Sequence, residues 1–280
     1  MPVLAPRRDR RVDGRAADPR PGVAPVMVLA AAAPARLKHL RDFVWLLWSE
    51  LFLLRATWFW YLIQLAFVPV SYMVFLWLLL GRQRPEAMLF ATTGSWVMAL
   101  STAAMLSLGQ HVGHLKDTHA YEYYATLPIS KVVFIAAVTS RGVLLALPSL
   151  VVVMAVSRYA FGFSVPPAGI LILLLSAYAM SGFGAFIGFW SPTAQVASMA
   201  TQVLQTIITL FAPVYMPLEV LPGPLRLTSL LWPTTHAALA VRAAMAGEPL
   251  LAYWVSLTVL VGFAVVSLAL VPLKLEWRSR

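Results

Sequence analysis

Long apolar runs, interrupted by short polar segments, fill most of the sequence. A helix crossing a hydrocarbon core needs about 20 mainly apolar residues. Six stretches meet that length: 56–80, 88–109, 132–156, 167–190, 195–215 and 250–273. In the first, Trp58, Trp60 and Tyr61 lie near one end and Trp77 near the other. Trp58 and Trp77 are about 28 Å apart along a helix, at ~1.5 Å per residue, which sets an aromatic belt at each edge of a bilayer core. Ahead of it, Leu37, Leu40, Val44, Leu47, Leu51 and Leu54 recur at spacings of three and four and form one helical stripe. Arg36, His39, Arg41 and Asp42 crowd its first turns. Glu50 and Arg55 are costly in hydrocarbon. The pattern therefore predicts an amphipathic helix lying in the membrane surface; the alternative is that it lengthens the first span.

The longest break in the pattern is Phe211–Gly247, between the last two spans. Pro213, Pro217, Pro222, Pro224 and Pro233 interrupt its apolar runs every few residues. Non-helical backbone at membrane depth survives only where protein or a water-filled cavity buries it. This stretch is predicted to be a re-entrant hairpin that enters one membrane face and returns.

Composition sharpens the class. The chain of 280 residues is 60% hydrophobic and only 11% charged, whereas about a quarter of the residues of a soluble domain carry charge. The expected fold is an all-α integral membrane protein with six transmembrane helices. Disulfides, thiolate metal sites and a cysteine nucleophile are excluded, because there is no cysteine. The net charge of +10 raises nucleic acid as a partner, but no basic stripe or stacking platform accompanies it. Its distribution fits a membrane-facing terminus instead, and lipid is the expected surface partner. The domain reading is a basic, disordered tail over 1–35, followed by a transmembrane domain over 36–280. Val23–Ala35, apolar and ending Ala-Pro-Ala, also resembles a signal peptide. Cleavage there would leave Arg36, Lys38, Arg41 and Arg55 outside, against the positive-inside bias.

With both termini inside, the inner face carries fifteen Lys and Arg and the outer face five, namely Arg82, Arg84, Arg158, Arg226 and Arg242. That asymmetry predicts a multi-pass protein of a bacterial or archaeal cytoplasmic membrane with both termini cytoplasmic. The hairpin then faces outward, and the segment Gln110–Lys131 faces the cytoplasm.

Candidate chemistry is sparse. None of the six predicted spans contains Asp or Glu. An ion-coupled carrier normally needs intramembrane carboxylates or broken helices, so that alternative is disfavoured, as is the inverted-repeat plan, since no internal repeat is present. Arg141 is the one formal charge well inside a span. Three readings of it stand: snorkelling to the inner surface, pairing within the bundle, or facing an anionic substrate as a path residue. All four lysines lack a preceding glycine, so there is no phosphate-cradling Gly-Lys-Ser/Thr loop; any ATP must be bound by another chain. His111 and His114 have neither the spacing nor the glutamate of a zincin site, and no metal is expected. A membrane-embedded enzyme acting on lipid or peptide with His236 as base is a further alternative, but no Asp or Glu lies within five residues of it. In the inner segment, Tyr121, Tyr124 and Leu127 can form the apolar face of a short docking helix. Leu127-Pro128-Ile129-Ser130 then turns the chain into the third span. Gly182, Gly184 and Gly188 with Ser181 give the fourth span a small-residue stripe, suited to contact with a second copy or within the chain.

These features together resemble the ABC-2 type (type V exporter) family of ABC-transporter permeases. Its inner loop usually carries Gly-Thr-x-Glu and then a Leu-Leu-x-x-Pro-hydrophobic-Ser turn. Here Glu122 is followed by Ala125-Thr126-Leu127-Pro128-Ile129-Ser130, and His119-Ala120 stands where Gly-Thr is common. The family's hairpin shows two apolar-Pro pairs and then Pro-x-x-Tyr/His-x5-Arg. Met216-Pro217, Leu221-Pro222 and Pro233-Thr234-Thr235-His236-x5-Arg242 follow that order, while Ala212-Pro213 replaces the usual Ser-Gly. The resemblance covers residues 36 to 273. It implies a permease subunit of an ATP-driven exporter, not itself an enzyme, without a cofactor of its own. ATP and Mg would sit on a separate cytoplasmic ATPase subunit, with a second permease copy or a related chain completing the path. It also implies a cytoplasmic coupling helix using Lys116, Asp117, Tyr121, Glu122, Leu127 and Pro128. An outer hairpin or gate would use Pro217, Glu219, Pro222, Pro233, His236 and Arg242, with Glu219 and Arg242 as a possible anchoring pair.

Overall fold

In a computed structural model of the chain, the described residues are 35–53, 55, 58–80, 85–249 and 253–274. The tail predicted over 1–35 lies outside them except for Ala35, as do Arg82, Arg84, Arg278 and Arg280. The chain divides into two compact units, Met1–Lys38 and His39–Arg280. Of the first, only the opening turn of a helix, Ala35–Lys38, is described. Everything below concerns the second.

The described residues form helices and no strands. They are α1 (Ala35–Leu53), α2 (Trp58–Leu80), α3 (Pro85–Val97), a π-helical turn (Met98–Thr102), α4 (Ala103–Asp117), α5 (Ala120–Thr126), α6 (Lys131–Phe161), α7 (Pro167–Trp190), α8 (Ala194–Phe211), a 3₁₀ turn (Leu218–Val220), α9 (Gly223–Ser229), α10 (Pro233–Met245) and α11 (Trp254–Lys274). Six are long and apolar enough to cross a membrane: α2, the continuous helix Glu86–Asp117, α6, α7, α8 and α11. This is an all-α multi-pass membrane protein.

Two spans run further than their apolar pattern predicts. The second was expected to stop at 109 but continues to Asp117, because Leu108, Val112 and Leu115 carry the buried stripe onward at helical spacing. The third runs to Phe161, where Gly162 at φ 78° supplies the left-handed residue that ends it.

The second span is the core of the bundle. Its most apolar window is 83% buried, against 17% for the first and fifth spans. It packs closely on α7 because glycines remove the side chains between them. A Cβ on Gly184 would run into the Met105 carbonyl, and one on Gly188 into Val112. The small-residue stripe of α7 thus serves contact within the chain, and Gly182 does the same against Ser267 of α11. On α4, Gly109 and Gly113 admit Thr201 and Ala197 of α8. Buried hydroxyls and one indole tie the helices together: Trp96 Nε1 donates to Ser157 Oγ at 3.0 Å, Ser149 Oγ to the Ala99 carbonyl at 2.9 Å, and Ser181 Oγ to the Thr139 carbonyl at 2.7 Å. With little water nearby, such bonds act as interhelical glue.

Candidate functional site: a charged cluster and a neutral cavity

Two polar features stand out in this apolar bundle. One lies at the end that carries α5, the other between α2, the π turn, α4 and α8.

The first gathers around Glu50. Expected at a solvated surface, Glu50 is instead only 2% exposed. α1 turns Val44, Trp45 and Trp48 outward and Leu46 and Glu50 inward. The Glu50 Oε2 atom lies 3.0 Å from His111 Nε2 on α4 and 3.1 Å from Arg141 Nε on α6. Both nitrogens meet the same oxygen off the angle of an aligned hydrogen bond; the Arg141 contact is an ion pair, and the His111 contact becomes one when the imidazole is protonated. The Tyr124 hydroxyl of α5 donates to Glu50 Oε1 at 3.4 Å. Burial alone would raise the Glu50 carboxyl, but the contact with His111 and the charge of Arg141 outweigh it and hold it below the usual carboxylate range. Among the three readings of Arg141, the structure realises pairing inside the bundle: the side chain is 6% exposed and faces Glu50. One carboxylate thus joins four helices.

The rest of this end is organised by Lys116 and Asp117, which the longer second span places on α4 rather than in a loop. Lys116 Nζ donates to the carbonyls of Phe189, at 3.1 Å, and Ser191, at the C-terminus of α7. Asp117 Oδ2 accepts from the Ala194 amide at 3.0 Å, at the N-terminus of α8. Each charge complements the helix end it meets, so the two residues clamp the α7–α8 turn. α5 begins at His119, whose φ of 53° is left-handed, a backbone position that glycine occupies without cost. This is the position where the resembled family commonly has glycine. Tyr121 and Tyr124, read from the sequence as the apolar face of a docking helix, pack against the bundle of the chain itself, with the Tyr124 and Phe134 rings 5.2 Å apart. Glu122 and Tyr123 point outward, and a hydrogen bond from His119, at 2.9 Å, holds the exposed Glu122 carboxyl below its ordinary range. After Leu127 and Pro128, Ser130 Oγ accepts from the Val133 amide and caps α6.

The second feature is a cavity of about 340 Å³. Its polar lining is Gln64 of α2, Thr102 of the π turn, Gln110 of α4, and Gln202, Gln205 and Thr209 of α8. No charged side chain lines it. The π turn inserts an extra residue in mid-span, with Ser101 Oγ held 2.7 Å from Ser176 Oγ of α7; such bulges often mark functional sites. Tyr215 closes the end nearest the hairpin, its ring 4.2 Å from that of Tyr72.

The hairpin residues form the scaffold of that closure. Arg242 Nε donates to Thr93 Oγ1 at 3.0 Å and Nη2 to the Val214 carbonyl, while its guanidinium lies 4.1 Å over the Phe90 ring. Arg242 therefore fastens the backbone beside Tyr215 to α3. The expected ion pair with Glu219 is not formed. Burial lowers the Arg242 guanidinium to about 10, and Glu219 opposes that from beyond ion-pair distance. His236 is 7% exposed, with Nε2 donating to the Leu230 carbonyl at 2.9 Å and Nδ1 3.3 Å from Ser256 Oγ. Both ring nitrogens are engaged in holding α10, and the side chain of no Asp or Glu contacts them among the described residues. Pro217 and Pro222 precede the 3₁₀ turn and α9, and Pro233 opens α10 as its first residue. No group of three or more His, Asp or Glu able to hold a metal occurs among the described residues.

Sequence reasoning missed the Glu50 partners, the π turn and the cavity. The cavity had a signal: Ser198, Gln202, Gln205 and Thr209 recur at spacings of four, three and four, a polar stripe along the fifth span.

The chain thus has six membrane-crossing helices, an uncharged open cleft between three of them and a short helix docked across one end. The model of the ABC-2 type transporter family matches residues 41–246, and the chain belongs to that family. It is the membrane permease of an ABC-type transporter. No curated protein matches the chain.

Proposed function

We propose that the chain is the permease subunit of an ATP-driven exporter whose ATP and Mg are bound by a separate ATPase subunit. The observation that carries this reading is the double attachment of α5. Its outer side offers Glu122 and Tyr123, the latter 64% exposed, and its inner side reaches Glu50 through Tyr124. A partner that grips the outer side would move Glu50, and with it His111 on the second span and Arg141 on the third. An open groove between α1 and α5, lined by Arg41, Asp42, Trp45, Tyr123 and Leu127, extends that docking surface. In this reading the α5 end and both termini face the cytoplasm, in keeping with the Lys and Arg asymmetry. The hairpin is then re-entrant from the outer face and acts as the exit gate.

A second copy, or a related chain, completes the path. The support is α8, whose polar residues Gln202 and Thr206 are exposed in the single chain. Uncharged amides and hydroxyls facing lipid are unfavourable, whereas across a water-lined path between two permeases they are solvated. Reconstitution with an ABC ATPase subunit from the same source tests the proposal. ATP-dependent accumulation of substrate in inside-out vesicles, lost together with ATPase stimulation in Glu122→Ala, is expected. No ATP dependence, or coupling indifferent to Glu122→Ala, overturns it.

A further inference from the structure

We propose that the pocket between α1, α2 and α6 holds an anionic phospholipid, its phosphate on Arg55 and its head-group hydroxyls toward α6, in chemical terms a phosphatidylglycerol. The site is separate from the cleft between α2, α4 and α8, and it depends neither on an ATPase nor on the direction of transport.

Its place in the fold points to lipid. Arg55 stands between the end of α1 at Leu53 and the start of α2 at Trp58. Beside it the pocket encloses about 180 Å³, with Leu51 of α1, Leu62 of α2 and Leu145 of α6 as its apolar wall. Trp58 lines it too and marks one edge of the hydrocarbon core along α2. The pocket therefore lies where acyl chains give way to phosphates.

Charge selects the head group. The Arg55 side chain is exposed and makes no ion pair or hydrogen bond among the described residues. Both acids of α1 are engaged: Asp42 lies 3.9 Å from Arg41 Nε, and Glu50 is buried against Arg141. No acidic side chain lines the pocket. The anion must come from outside the chain, and a phosphate diester matches the fork of a guanidinium. A head group with its own ammonium would set a second cation beside Arg55 with no carboxylate to receive it. Basic pockets between spanning helices hold anionic lipids for the same reason.

The wall of α6 selects further. Pro148 lies inside this helix and has no N–H, so the Leu144 carbonyl lacks the donor that an α-helix supplies four residues on. Leu144 and Pro148 both line the pocket, which sets that carbonyl on its wall. A glycerol hydroxyl can donate to it. Val151, exposed and one turn beyond Pro148 on the same face, continues an apolar track for an acyl chain. Leu51 follows Glu50 in sequence, and Leu145 is one turn from Arg141. A lipid seated here would brace the joint that the Glu50–Arg141 pair makes between α1 and α6.

Native mass spectrometry of the full chain, released from a neutral detergent, tests this by counting retained lipid. The probes are dioleoyl phosphatidylglycerol, phosphatidylmethanol and phosphatidylcholine, with soluble glycerol 3-phosphate as competitor. Retention should fall in the order glycerol, methanol, choline. Arg55→Gln should weaken phosphatidylglycerol retention roughly tenfold, as loss of a charge-assisted bond implies, and Arg55→Lys only a few-fold. Arg158→Gln, which removes an exposed arginine near the other end of α6, should change nothing. Pro148→Ala, which restores the missing N–H, should erase the preference for glycerol over methanol and keep that for methanol over choline. Phosphatidylglycerol should also raise the thermal midpoint of the unaltered chain and not that of Arg55→Gln. The two midpoints should agree without lipid, which excludes misfolding as the cause. Equal retention of the choline lipid, retention unchanged in Arg55→Gln, or an equal loss in Arg158→Gln overturns the proposal. Displacement by glycerol 3-phosphate at matched concentration overturns it in favour of a soluble anion. Equal retention of the glycerol and methanol lipids by the unaltered chain overturns the phosphatidylglycerol assignment.

Discussion

The two polar regions of this bundle solve opposite problems. Around Glu50 the groups are charged, closed to solvent and neutralised by one another. In the cavity they are uncharged and open, and Gln64, Gln110 and Gln205 make no side-chain hydrogen bond to protein among the described residues. The difference follows from what each tolerates. A buried charge demands a fixed partner at about 3 Å, so the region around Glu50 can transmit motion but cannot exchange ligands. An uncharged amide costs far less when its partner changes, so the cavity can bind and release. The two regions share α4: His111 belongs to the first and Gln110, its neighbour in sequence, to the second. A shift of α4 at one would therefore displace a side chain of the other.

Mutations can separate the two. The largest effect is expected from Arg141→Leu, which leaves the Glu50 carboxylate buried and short of its principal charge. Breaking such a pair costs about 3–5 kcal/mol, read as a lowered thermal midpoint in detergent. The double change Glu50→Leu/Arg141→Leu should recover most of that loss, and a double-mutant cycle without coupling would remove the pair from the account. Acid should act next. Because the Glu50 carboxyl is held below the ordinary glutamate value of 4.5, its contribution is complete above that pH. It is lost only as pH falls through the lower folded value. The midpoint of the unaltered chain should therefore drop below pH 4.5 more steeply than that of Glu50→Gln; equal slopes would show that the carboxylate is not held charged. In the cavity, Gln202→Leu/Gln205→Leu should shift stability by only about 0.5 kcal/mol, since no buried protein partner is abandoned. The smallest stability effect belongs to Glu122→Ala at the exposed end of α5, where an unchanged midpoint with lost ATPase coupling would separate docking from folding.

Legibility in the sequence followed the range of the interaction. The six spans and the short helix α5 were readable because each depends on residues within a few turns. Residue-level roles were less so. Lys116 and Asp117 read as loop residues facing a partner, yet they clamp the α7–α8 turn, because the buried stripe of Leu108, Val112 and Leu115 prolongs the helix beneath them. Glu219 and Arg242 also read as anchors of one hairpin, whereas Arg242 turns to Thr93 and Val214 instead.

By itself the sequence determined an all-α membrane protein with six spans, the family motifs of the inner loop and the hairpin, and the absence of a nucleotide-binding loop. Helical period and hydrophobic length are local properties, and a chain this apolar has few other ways to satisfy its backbone in lipid. Only the tertiary structure decided which polar groups meet. Glu50, His111, Tyr124 and Arg141 come from four helices, and their rotation toward one another depends on how closely the backbones approach. That approach is set by contacts such as Gly184 on Met105 and Gly188 on Val112, between residues far apart in the chain, where local pattern carries no information.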